Sequence, residues 1–186
     1  MKPVTDQTLV THYAELFGEM LLARDGEEFE LDPDWIGRRG WKVVPVESMV
    51  RIPEPDIPRI AAVLHGAGFR SCVAVFNEPG YIQTLPTVVP TDPPSDLATC
   101  YEVSISESDL SNVNRRLGPF RFLLSEESRS WAISCNETYN LFAAKAELLE
   151  GLLGRPLEQA RREFLDFATS LGDDGLIHAA ERYAVF

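Results

Sequence analysis

Three apolar runs with very short linkers dominate the stretch from residue 119 to residue 144. They read FRFLL, RSWAISC and YNLFAA, and only SEES and NET separate them. Each run is rich in the aromatic, β-branched and aliphatic residues that favour strands. Linkers of three or four residues bring consecutive strands side by side in antiparallel order. We therefore predict a β-meander around residues 119–144 within an antiparallel sheet.

Helical patterns flank this region on both sides. In DQTLVTHYAELFGEMLLAR, apolar residues recur at three- and four-residue spacing after a capping residue, Asp6. The apolar positions are Leu9, Tyr13, Leu16, Phe17 and Met20. Towards the other end, LEQARREFLDFATSL repeats the pattern directly after Pro156. We predict an α+β fold whose antiparallel sheet packs against an N-terminal helix and C-terminal helices.

Shorter elements connect these two regions. WKVVPV reads as a strand, and Pro45 confines it to the edge of a sheet or to a bulge because proline cannot donate to the ladder. The pair Asp32 and Pro33 is typical of a helix start, with a cap followed by the first helical position. Asp56 and Ser106 introduce two further helices, and FRSCVAVF and ATCYEVS read as strands.

The length of 186 residues fits a single α+β domain spanning residues 1–186. A subdivision at the proline-rich connection, residues 86–96, is a second possibility. This stretch, PTVVPTDPPSD, is stiff and extended. An ordered loop that crosses one domain has the same composition, so both interpretations stay open.

The formal net charge is −12, and the two halves on either side of Pro93 each carry half of it. Nucleic acids and anionic membranes require a clustered positive surface, which neither half offers. We therefore expect no nucleic-acid partner and no membrane partner. A basic protein is the partner that the charge favours.

Several further features predict a cytoplasmic protein. No apolar run approaches the roughly 20 residues that a membrane helix needs, and the N-terminus has no apolar signal region. The cysteines, Cys72, Cys100 and Cys135, are odd in number and match no zinc spacing, so we expect buried free thiols.

Six carboxylates fall within the ten residues from 25 to 34, with no basic residue among them. Metal binding is one interpretation, but the calcium-loop pattern is absent. A solvated strand face is the second, and a docking face for a basic protein is the third. On the docking hypothesis these side chains project into water with nothing to neutralise them. They are Asp25, Glu27, Glu28, Glu30, Asp32 and Asp34.

The motif WIGRRGW follows immediately. Trp35 and Trp41 bracket Arg38 and Arg39, and these two residue types often anchor protein interfaces. The four residues therefore join the candidate binding surface. The alternative is that both indoles fill the core while the arginines pair with neighbouring acids.

No catalytic, cofactor or metal motif accompanies these features. His12, His65 and His178 have no ligand-spaced partner, and neither a nucleophile elbow nor a phosphate-binding loop is present. We predict a non-enzymatic acidic interaction module, for example a toxin-neutralising immunity or inhibitor protein of bacterial type. Two alternatives are an enzyme or ligand-binding protein whose site is assembled from scattered Glu, His and Tyr residues, and a structural subunit of a larger assembly.

Overall fold

The structure is a computed structural model that describes residues 1–22, 30–47, 51–76, 100–118 and 121–185. The described residues form the predicted α+β fold. The strands are β1 (Lys2–Pro3), β2 (Lys42–Glu47), β3 (Ser71–Phe76), β4 (Cys100–Ser104), β5 (Phe122–Ser125), β6 (Trp131–Cys135) and β7 (Tyr139–Ala144). The helices are α1 (Gln7–Gly18), α2 (Pro33–Arg39), α3 (Ile57–Gly66), α4 (Glu107–Leu117), α5 (Ala146–Leu153), α6 (Leu157–Leu171) and α7 (Asp174–Ala184).

These strands form one antiparallel sheet in the order β1-β4-β3-β5-β6-β7-β2. The meander predicted around residues 119–144 is confirmed as β5, β6 and β7. Its register places Cys135 opposite Asn140 and Trp131 opposite Ala144. The predicted edge position of β2 is also confirmed, because β2 pairs with β7 alone and contributes Pro45 opposite Leu141.

Helices cover both faces of the sheet, and each face builds its own apolar core. Helices α3, α4 and α5 pack on one face, where Leu124 and Ile133 are fully buried. Helices α1, α2 and α7 pack on the other, where Leu123 and Ala132 are fully buried. Successive residues of a strand point to opposite faces, so a strand buried on both sides reads as a continuous apolar run. This is why the central strands show no polar alternation.

Helix α6 joins the two cores by passing the edge of the sheet. Its first half places Leu157 and Ala160 in the core beside α5, whereas its second half places Phe164 and Ala168 in the core beside α7. Both α6 and α7 contact β2 along this passage. The edge strand is therefore covered, which protects its unpaired groups from other chains.

The first helix is shorter than the apolar pattern predicts. It begins at the predicted cap, where the Asp6 carboxylate accepts a 2.8 Å hydrogen bond from the Thr8 amide, but it ends at Gly18. Beyond it the chain turns into an antiparallel contact, because the Leu22 amide donates to the Glu30 carbonyl. Tertiary pairing thus overrides the local helical periodicity.

Residues on both sides of the proline-rich segment contribute strands to the sheet. The segment itself, residues 86–96, lies outside the described residues, so the single domain and the possible division there stay predictions. The described helices include none that is both long enough and apolar enough to cross a bilayer.

The buried side-chain amide of Asn114, in α4, binds the segment of the chain that precedes α3. Asn114 is 1% exposed and meets Ile52, which is fully buried. The Ile52 amide donates to Asn114 Oδ1 at 2.9 Å, and Asn114 Nδ2 donates to the Ile52 carbonyl at 2.7 Å. The same Nδ2 donates to Glu54 Oε1 at 3.0 Å. One side chain therefore satisfies both backbone groups of a residue that has no access to water.

Candidate interaction site

The predicted acidic segment is described in part, and one of its described carboxylates is paired within the chain. Asp25, Glu27 and Glu28 lie outside the described residues. Glu30 is 13% exposed, forms an ion pair with Arg182 of α7, and accepts a hydrogen bond from the Tyr139 hydroxyl. The expectation that Glu30 projects uncompensated charge into water is therefore wrong, because an arginine distant in sequence neutralises it.

The next two acids have different environments. Asp32 caps α2, since its Oδ1 accepts a 2.8 Å hydrogen bond from the Asp34 amide, as the helix-start motif predicts. Asp34 itself is exposed in the first helical turn. Arg38 and Arg39 are exposed in the last turn, where positive charge complements the helix dipole.

Trp35 and Trp41 belong to the core. They are 5% and 4% exposed, and their rings meet edge to face with centroids 5.0 Å apart. The Arg39 guanidinium lies 5.0 Å from the Trp35 ring centroid. Both indoles therefore fill the core, as the alternative interpretation predicts. The two arginines of the WIGRRGW motif lie on the surface.

Carboxylates instead converge in a cleft of about 360 Å³ on the α1 face of the sheet. The cleft lies where β3 and β4 meet α1 and the turn between β5 and β6. We call it the acidic cleft. Its lining residues are Tyr13, Ser71, Cys72, Val73, Glu102, Glu126 and Glu127.

The turn that carries two of these acids is fixed by its own hydrogen bonds. The Glu126 carboxylate accepts from the amides of Ser128 and Ser130, at 2.7 and 2.6 Å, and from the Ser128 hydroxyl at 2.6 Å. These charge-assisted bonds hold the turn in one conformation. They also show that Glu126 shapes the cleft as well as charging it.

Arg129 ties this turn to the first helix. Its φ of 52° lies in the left-handed region, which a residue with a side chain adopts only when its surroundings hold it there. The guanidinium pairs with Glu19 at 2.5 Å, donates to the Leu16 carbonyl at 3.3 Å, and lies 5.7 Å from the Trp35 ring centroid. Arg129 is thus held by contacts with α1 and α2.

The phenol of Tyr13 is a neutral donor inside the acidic cleft. Its hydroxyl donates a 3.0 Å hydrogen bond to Glu127 Oε1. The pKa of Tyr13 is raised to about 12, mainly by burial and then by the hydrogen bond and charge of Glu127 and the charge of Glu102. The carboxylates of Glu102 and Glu127 therefore both act on the Tyr13 hydroxyl.

Among the described residues, no basic side chain lines this cleft. Lys2 of β1 lies opposite Glu102 in the strand register, but no ion pair joins them. Within the same described ranges, no group of His, Cys, Asp and Glu is arranged to hold a metal ion. The cleft therefore presents negative charge that the described part of the chain does not cancel by contact.

Nucleophilic chemistry has little support in this cleft. All three cysteines are buried and free, as predicted. Burial, with smaller contributions from Glu126 and Asp109, raises the pKa of the Cys72 thiol to about 12, so it stays protonated and weakly nucleophilic. The ring of His12 lies 5.6 Å from that of Tyr13, but His12 is exposed on α1 and does not line the cleft.

Comparison with protein-family models, with curated proteins and with solved structures finds no match to this chain. The sequence reasoning missed the acidic cleft because its residues are scattered from position 13 to position 127. Only the strand register brings Glu102 level with Val73, and Val73 level with Ser125 beside the turn. Such a register is a tertiary property that no local motif encodes.

Proposed function

We propose that this chain is an interaction module that binds a basic protein partner, and that the acidic cleft is the contact point. The observation that carries the proposal is the convergence of Glu102, Glu126 and Glu127 on one cleft without a lining base among the described residues. A lysine or arginine side chain of the partner would supply the missing positive charge. We therefore propose this cleft, rather than residues 25–34, as the docking surface.

An arginine side chain suits the geometry best. A guanidinium is a planar fork of donors that matches carboxylate oxygens, and it is more weakly hydrated than an ammonium group. The turn from Glu126 to Ser130 is already held by hydrogen bonds, so binding requires little further ordering of it. The pairing would define the partner's orientation and raise its association rate.

An immunity or inhibitor protein that covers the active site of a basic toxin is the specific form of this function that we propose. In that form the carboxylates of Glu102, Glu126 and Glu127 would lie where the toxin's active site binds a polyanionic substrate. The cleft favours this non-enzymatic role over a site assembled from Glu, His and Tyr, because no histidine of the described residues lines it and the Cys72 thiol is buried in the core on the other face of the sheet.

The test compares two double variants with the same net charge. Glu102→Gln with Glu127→Gln neutralises the cleft but leaves Glu126 and its turn intact. Glu147→Gln with Asp166→Asn neutralises two exposed acids on α5 and α6 as the control. Each protein serves as bait in the organism of origin, and captured proteins are identified by mass spectrometry.

We expect the wild type and the control to retain the same basic protein, and the cleft variant to lose it. Retention by the wild type should also fall as ionic strength rises, since salt screens exposed charges over about 8 Å at 0.15 M. Equal capture of that protein by the cleft variant and the control would refute the proposal.

A further inference from the structure

A second cleft, with positive charge, lies beside α4 on the other face of the sheet. It has a volume of about 330 Å³ and is lined by Met1, Asn112, Arg115 and Arg116. The Arg116 guanidinium lies 5.5 Å from the ring centroid of Tyr101, which belongs to the core beside α4. Glu102, the next residue of β4, points to the opposite face. We call this second site the basic cleft.

Contacts along one side of α4 hold Arg115 in place. Asp109, Asn112 and Arg115 are spaced three residues apart, so their side chains are neighbours on the helix surface. The N-terminal ammonium pairs with Asp109 at 2.8 Å and holds the pKa of that carboxyl below its usual value, with further hydrogen bonds from Ser104 and Asn112. Arg115 Nη2 in turn donates to Asn112 Oδ1.

This chain of contacts uses little of the binding capacity of Arg115. A guanidinium has five donor hydrogens, and the contact with Asn112 engages one of them. Six other described arginines pair with a carboxylate, namely Arg59, Arg121, Arg129, Arg155, Arg161 and Arg182. Among the described residues, Arg115 has no such ion pair, although acids outnumber bases 29 to 17 in the sequence.

The position of Arg115 and Arg116 in the last turn of α4 has a simpler structural explanation, because positive charge there complements the helix dipole. The helix dipole explains where the two arginines lie, but it does not explain the cleft or the contacts that orient Arg115. The volume of the cleft is within the lower range of small-ligand sites. The Arg115 guanidinium, held by an amide, is a preorganised group for binding negative charge, and the Arg116 guanidinium lies against an aromatic ring in the same cleft.

We propose that the basic cleft binds a single oxyanion group, either a carboxylate or a phosphate, of a ligand. The planar fork of Arg115 would bind two oxygens of such a group in parallel, beside Arg116, which also lines the cleft. The site does not depend on the function proposed for the acidic cleft, since it lies on the other face of the sheet.

The experiment is a nuclear magnetic resonance titration of the ¹⁵N-labelled chain without an N-terminal tag, because a fused tag would remove the Met1 ammonium group that binds Asp109. Sodium phosphate and sodium acetate are the two probes, and sodium chloride keeps the ionic strength constant. We expect saturable shifts of the Arg115 side chain and of the backbone amides of Lys2 and Asn112. The anion that saturates at the lower concentration identifies the preferred group.

Four variants make the result decisive. Arg115→Gln should weaken binding at least tenfold, whereas Arg162→Gln, which neutralises an exposed arginine of α6, should leave binding unchanged. Arg115→Lys keeps the charge without the fork, so it should weaken binding by an intermediate factor and serves if the glutamine variant fails to fold. Glu102→Gln with Glu127→Gln should not affect binding, which separates this proposal from the preceding one. Shifts that do not saturate, or that persist unchanged in Arg115→Gln and Arg115→Lys, would overturn it.

Discussion

Replacement of Asn114 by alanine should destabilise this fold more than its single polar side chain suggests. The substitution removes the partners of both the amide and the carbonyl of Ile52, a residue that is fully buried. An unpaired buried polar group costs about 1–3 kcal/mol, so the two groups together cost about 2–6 kcal/mol. Alanine recovers about 0.5 kcal/mol through its higher helix propensity. We expect the free energy of unfolding to fall by about 2–5 kcal/mol.

Urea unfolding followed by circular dichroism measures this loss. With an m-value of about 2 kcal/mol/M, the midpoint should fall by about 1–2.5 M. Ser111→Ala, at a partly exposed position of the same helix, is the control and should change stability by no more than about 0.5 kcal/mol. Hydrogen exchange adds a local measurement, because the Ile52 amide should lose its protection. A loss below about 1 kcal/mol would refute the argument, since it would mean that water replaces the clamp without penalty.

Three further predictions concern titratable groups. Glu127→Gln removes a hydrogen bond and a charge that raise the pKa of Tyr13, so ultraviolet titration should show this pKa fall from about 12 towards 10.0; an unchanged titration would contradict the contact. Asp109→Asn should lower stability at neutral pH but not at a pH below the pKa that Asp109 has in the folded protein. The folded protein lowers this pKa, so the ionised carboxylate stabilises the fold at pH values above the unfolded pKa of about 3.9, and the contribution is lost as the pH falls through the folded pKa. Urea unfolding at both pH values tests the sign, and an equal loss at both would exclude the ion pair as its cause. The thiols of Cys72, Cys100 and Cys135 should react with a disulfide reagent only after denaturant is added, whereas prompt labelling of the native protein would contradict their burial.

The parts of the fold that local chemistry determines were predictable from the sequence. Pro45 predicted an edge strand because it lacks a donor, and the structure pairs that strand on one side only. Asp32 and Ser106 predicted helix starts, and both side chains accept the expected hydrogen bond from an amide of the first turn. The short linkers of the meander fixed three neighbouring strands without information from the rest of the chain.

The predictions that failed depended on partners distant in sequence. Glu30 was expected to be free because no base lies near it in the sequence, but α7 folds back and supplies Arg182. The end of α1 was misplaced for the same reason, since residues 20–22 pair with residues 30–32. The acidic cleft escaped notice because three separate elements and a turn assemble it. Charge pattern along a chain therefore does not show which carboxylates remain unpaired unless the tertiary contacts are known.

The strand order has a consequence for how this polypeptide could be divided. Among the described strands, β1, β2 and β3 precede residue 77 and never pair with one another; each pairs only with strands that follow residue 99. A cut between those two positions would produce two peptides, and the first would have no hydrogen-bonded ladder of its own among these strands. The two peptides should therefore reassociate as interdigitating fragments, so that recovery of native circular dichroism on mixing would report their encounter.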